Sequence, residues 1–265
     1  MTNTRSRCGT STGKGARTER ALLLLMGFGG TVSQIVLLRE LLVSFLGNEL
    51  TIGVILANWL GAEAAGSFGI RKAVEKAEDG RALYALLQLC ASFALPICVF
   101  FSIALKTILF APAGEVVGIS PVFATSLAVL LPAAFPHGAL FTSGSRAFSR
   151  FPEEGGVSIG RVYVLDALGS IAGGVLAAFF FARRFDSLRI ALFVSLANAL
   201  GAAFLLGRRE MPAAAPRTRA FRGVLLAAAV FLTLPLCVLI VSPLGKAAHE
   251  AAVRTRWRGL NVVFH

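Results

Sequence analysis

Apolar positions gather into repeated runs of about 20 residues, the length that crosses about 30 Å of hydrocarbon at 1.5 Å per residue. Seven runs stand out, approximately Ala21 to Phe45, Thr51 to Ile70, Ala82 to Leu105, Pro121 to Thr142, Val162 to Ala182, Ile190 to Leu206 and Gly223 to Val241. The pattern predicts an all-α, polytopic transmembrane helical bundle of about seven spans, six to eight at the limits. No A-x-A-like cleavage site follows the first run, which is also too long for a signal-peptide core, so it reads as a retained span. Three regions result: a basic tail over 1–20, a bundle over 21–243, and a C-terminal segment over 244–265. In that last segment Leu244 to Trp257 reads as an amphipathic helix, and "LNVVFH" as the opening of a strand without a partner.

Composition agrees with the pattern. The chain is 56% hydrophobic and 15% charged, against about 45 to 50% and about 25% in a soluble domain. Its net charge of +12 raises the question of nucleic acid, which calls for basic residues gathered on one folded face. Here they punctuate the runs instead. With the N-terminus cytoplasmic, the inside segments collect Arg5, Arg7, Lys14, Arg17 and Arg20, then Arg71, Lys72, Lys76 and Arg81, then Arg146, Arg150 and Arg161, then Arg208, Arg209, Arg217, Arg219 and Arg222. That is 17 of 26 basic residues, the bias that orients a membrane protein by its loops. The partner implied is the lipid bilayer, not nucleic acid. Seven spans then put Lys246, Arg254, Arg256 and Arg258 outside, together with the three arginines of the loop Arg183 to Arg189, so the side of the C-terminus stays open.

Several features resemble chemistry and do not carry it. "GTSTGKG" (Gly9 to Gly15) has three residues between its glycines where a phosphate loop has four, and Gly15 follows Lys14 where a Ser or Thr should stand. Cys8, Cys90, Cys98 and Cys237 form no C-x-x-C pair and imply neither disulfide framework nor metal site. His137, beside Pro136 in a span that also holds Pro132, reads as a hydrogen-bonder between helices near a bend. His249 and His265 have no partner at metal spacing. With no nucleophile beside a base, no metal triad and no cofactor loop, the chain on its own does not read as an enzyme, and no cofactor is expected.

The residues that need a reason are the polar ones inside apolar runs, since a charge there costs about 2.5 to 3.5 kcal/mol on insertion scales. Glu63 lies nearest a span's middle and Asp166 about one turn inside its own, while Gln34, Arg39 and Glu40 share the first span. Asp166, Gly169 and Gly173 fall at i, i+3 and i+7 on one helix face, and the two glycines form a small-xxx-small seam that turns Asp166 toward protein. Trp59, Glu63 and Gly66 make a similar stripe in the second span. On one account Arg39, Glu40, Glu63 and Asp166 neutralise one another and hold the bundle in register; on the other they line a polar cavity for a cation or a proton path.

Three stretches, "GFGGTVSQIVLLRELLVSFLGNELTIGVILANWLGAEAAGS", "LLPAAFPHGALFTSG" and "GRVYVLDALGSIAGGVLAAF", together resemble the membrane module of membrane-bound spermidine synthase-like proteins. Gln34, Arg39, Glu40, Gly47, Asn48 and Glu49 carry the likeness in the first, and Gly160, Arg161, Tyr163, Gly169 and Gly173 in the third. In such proteins a multi-helix region precedes a soluble aminopropyltransferase domain, and an acidic or amide group is usual where Asp166 stands. Glu63 departs from the pattern, which has a small or apolar residue there. The larger departure is that the sequence stops where the resemblance places the catalytic domain. The resemblance implies a bacterial-type inner-membrane module that anchors or partners a polyamine-type synthase domain carried elsewhere. The alternative is a transporter of a small solute, polyamine or cation, reminiscent of half a major-facilitator protein and completed by a homodimer partner.

Overall fold

The computed structural model describes residues 11–108, 117–148, 155–207 and 216–256. Among them the chain is helical: α1 (Ser11–Phe45), α2 (Glu49–Gly69), the short α3 (Arg71–Lys76), α4 (Gly80–Ile108), α5 (Ile119–Ala147), α6 (Gly155–Leu176), a π turn (Ala177–Phe181) leading into α7 (Ala182–Arg184), α8 (Ser187–Gly207), α9 (Pro216–Val241) and α10 (Pro243–Arg256). Side-chain caps set several starts. Asn48 accepts from Thr51 N at the head of α2, Asp79 from Arg81 N and Ala82 N at the head of α4, and Asp186 from Arg189 N at the head of α8.

Among the described residues six helices are long and apolar enough to cross a membrane: Arg17–Phe45, Gly80–Leu105, Ile119–Ala147, Ile159–Arg184, Ser187–Gly207 and Thr218–Val241. The second expected span is α2, whose 21 residues cover about 31 Å, but Asn58 and Glu63 leave it less apolar than the others. It runs alongside α5 as a seventh long helix. The basic N-terminal segment is not a free tail throughout, because α1 begins at Ser11. Its first turns are tied to the bundle through Glu19, which accepts from Arg81 at 2.8 Å. The expected amphipathic helix is α10, whereas the "LNVVFH" segment lies outside the described residues.

Contacts fix how the helices run. Ser44 donates to Ser102 O while Tyr84 donates to Leu22 O, so α1 and α4 are parallel. Glu40 meets Ser187 while Leu22 meets Gly201, so α1 and α8 are antiparallel. Asn58 donates to Phe123 O and Ser67 to Gly138 O, which makes α2 and α5 parallel. One end of the bundle therefore holds the starts of α1, α4 and α9, joined by Glu19–Arg81 and Asp79–Arg222. The other holds the starts of α2, α5 and α8, with α10 folded over it through His249, 3.8 Å from Asp186.

Helix α1 is the axis. It packs on α4, α5, α6 and α8, and Val32, Leu37 and Leu41 are fully enclosed. Buried serines (Ser44, Ser92, Ser102, Ser126) bond to backbone carbonyls inside, while Phe68, Phe179, Phe231 and Val241 point outward, the last 86% exposed. Polar groups paired inside an apolar core, with large apolar side chains also left on the outside, is the arrangement that lipid permits, since lipid does not drive apolar side chains together as water does.

Candidate functional site

The site starts from the glycines of "GFGG" in α1, each of which lets a polar residue of a different helix approach closely. A Cβ on Gly27 would collide with the backbone of Asp166 on α6, one on Gly30 with the imidazole of His137 on α5, and one on Gly29 would touch Asn198 on α8. Without side chains here, α5 and α6 reach the α1 backbone. His137 Nε2 consequently lies 3.1 Å from the carbonyl oxygen of Met26. The seam with α6 continues at Gly169 and Gly173, both buried, where added methyls would strike the backbone of Leu24 and Phe28. Gly66 plays the same part between α2 and α5, packed on Phe135 O, with Gly138 packed on Glu63 O.

Helix α2 brings in the third polar group. Glu63 Oε1 lies 2.5 Å from His137 Nδ1, with the indole of buried Trp59 6.3 Å from the imidazole. The partners settle the protons. A carbonyl oxygen only accepts, so Nε2 must carry hydrogen to bond Met26 O; the Nδ1 contact then holds a single proton between imidazole and carboxyl. The pair is either a neutral histidine accepting from a protonated Glu63 or an imidazolium donating to a carboxylate. Both side chains are about one-fifth exposed, at 21% and 23%. Asp166 packs on α1 at Gly27, one turn from the Gly30 that receives the His137 ring, and its buried Oδ1 has no hydrogen-bond partner among the described residues. Counted from helix or span middles, Glu63, His137 and Asp166 all lie about 6 to 8 Å toward the end that holds the start of α1. They form one layer.

The remaining expected residues are dispersed. Glu40 is buried and accepts from Ser187 Oγ at 2.5 Å, toward the opposite end of α1. Arg39 is exposed and Gln34 half-buried. The charges that meet are thus Glu63 and His137 with Asp166 beside them, while Glu40 serves the α1–α8 contact. His137 does link helices, as its place beside Pro136 suggested, and it does so as the centre of the polar layer. The signal available for it was the glycine triplet at Gly27, Gly29 and Gly30, whose bare backbone called for partners. Among the described residues no three His, Cys, Asp or Glu side chains are placed to hold a metal ion. No family model, curated protein or solved structure matches the chain.

Proposed function

We propose that this integral membrane protein takes up and releases protons at the Glu63–His137–Asp166 layer, and couples them to movement of a small cationic solute of the polyamine kind. The shared proton between Glu63 and His137, beside an Asp166 oxygen with no hydrogen bond, carries the reading. A layer with three titratable groups and one internal hydrogen bond can gain or lose a proton without losing its helix contacts. A bound ammonium group would supply the donor that Asp166 Oδ1 lacks and favour release of the shared proton. Exchange of the shared proton for one ammonium group of the solute keeps the charge of the layer itself constant, which avoids the cost of an uncompensated charge in hydrocarbon.

The anchoring reading, in which the bundle partners a polyamine-type synthase domain, draws on the sequence resemblance. Its docking segment would be α10, which packs back on α4 and α9 at the end opposite the start of α1. With the N-terminus cytoplasmic, that segment faces away from the cytosol. The geometry favours exchange over anchoring.

The test is a reconstituted vesicle with a pH-sensitive dye inside and spermidine added outside. The expected result is internal alkalinisation on adding spermidine, as protons leave in exchange, which falls at least tenfold in Glu63→Gln and Asp166→Asn and persists in Glu250→Gln at the far end. Equal proton movement in wild type and Glu63→Gln would end this reading.

A further inference from the structure

A cleft of about 370 Å³ opens further toward the α1-start end of the bundle than the polar layer, walled by Arg71 and Glu75 of α3, Phe141, Thr142, Ser145 and Arg146 of α5, and Ile159 of α6. We infer that it holds the phosphodiester headgroup of an anionic glycerophospholipid, with Arg71 and Arg146 on the phosphate and an acyl chain over Phe141. Depth argues for a lipid rather than a free anion. Counted from the middle of α5, Phe141 lies about 12 Å out and Arg146 about 20 Å out. The hydrocarbon edge is at about 15 Å and the headgroup layer ends at about 20 to 22 Å. The cleft therefore straddles the boundary, with its aromatic wall at acyl depth and its guanidinium groups at phosphate depth.

Charge argues for an anionic headgroup. The lining carries two guanidiniums against the single carboxylate of Glu75, and among the described residues neither arginine is paired with a carboxylate. Arg146 Nη2 reaches only the backbone oxygen of Glu75, at 3.4 Å, and Arg71 lies over the Phe68 ring at 5.5 Å. Thr142 and Ser145 direct their hydroxyl hydrogens to Ser67 O and Phe141 O, which leaves their oxygens as acceptors only. The phosphate is thus a ligand for the arginines, in the manner of basic pockets between spans that hold acidic headgroups. Arginine suits this better than lysine because its planar fork binds two phosphate oxygens at once.

Native mass spectrometry of the detergent-purified protein, with dioleoyl phosphatidylglycerol or dioleoyl phosphatidylcholine added, tests the assignment. One phosphatidylglycerol is expected to stay bound at activation that strips phosphatidylcholine, with apparent affinity on the order of tenfold or more weaker in the double variant Arg71→Gln, Arg146→Gln. Both side chains are exposed, so the fold should tolerate the change. Ile159→Trp, which narrows the mouth and keeps both charges, should also weaken binding, while Lys246→Gln at the far end should not. Equal retention of the two lipids, full competition by inorganic phosphate, or undiminished phosphatidylglycerol in the double variant would each overturn the site.

Discussion

The imidazole of His137 occupies the space that a side chain at position 30 would fill, so this one glycine decides whether α5 can reach the carbonyl of Met26. In Gly30→Ala the ring must move and the Nε2 hydrogen bond breaks. The expected cost is about 1 to 3 kcal/mol from forced repacking, seen as a lower melting temperature in detergent. Gly53 and Gly61 of α2 have no atom within 4 Å of an added Cβ. Alanine there removes only the glycine penalty, so Gly53→Ala and Gly61→Ala should leave stability unchanged or raise it by up to about 1 kcal/mol. If all three variants melt alike, the close approach of α5 to α1 is not what holds the layer. Glu63 and Asp166 stand out in the sequence because a carboxyl in an apolar run has few bland explanations. His137 reads there as a helix linker without named partners, since those partners lie 74 and 111 residues away and no local spacing reports such distances.

At the scale of elements, one turn ties three helices together. Asp79 caps α4 and receives the guanidinium of Arg222 from α9, while Arg81 on the same turn pairs with Glu19 of α1. Burial by itself pushes the Asp79 carboxyl up, but the Arg222 hydrogen bond, the two amide donors and the Arg222 charge outweigh it and hold the group below its ordinary value. A carboxylate whose folded pKa is depressed adds stability that is complete above its unfolded pKa, about 3.9, and disappears as pH falls through the lower folded value. Melting temperature should therefore drop from about pH 5 downward, and this part of the drop should vanish in Asp79→Asn. Arg222→Ala should cost about 1 to 3 kcal/mol at neutral pH, because it leaves a mostly buried carboxylate without its charged donor. An acid profile unchanged by Asp79→Asn would remove the turn from this role. The helices themselves were legible in the sequence because span length is set by hydrocarbon thickness, and the run from Ile190 to Leu206 became α8 (Ser187–Gly207) with little change. Helix ends were less legible. The first span reaches back to Ser11 and the fifth passes through a π turn at Ala177–Phe181, because polar and aromatic residues continue a helix once its apolar core is anchored.

At the scale of the whole molecule, the question is whether α2 crosses. Its hydropathy alone leaves it outside the six clear spans, yet its partners place it firmly. It runs parallel to α5 from Asn58 at Phe123 to Ser67 at Gly138, so it traverses the same layer that α5 does. With α2 as a crossing helix the count is seven, and the start of α1 and the helix α10, which lie at opposite ends of the bundle by the contacts Glu19–Arg81 and Asp186–His249, fall on opposite sides of the membrane. Reporters that are active on only one side of the membrane, fused before Met1 in one version and after His265 in another, should therefore give opposite readings. The reading at the α1 end should be cytoplasmic, since Arg71, Lys72, Lys76, Arg146 and Arg161 gather there. Like readings from both fusions would mean an even number of crossings. The polar layer would then lose the continuous α2 wall that carries Glu63, and with it the ground for proton exchange. Opposite readings with the α1 end outside would keep the layer intact but bring α10 into the cytosol, and would shift the balance back to a docking role for that helix.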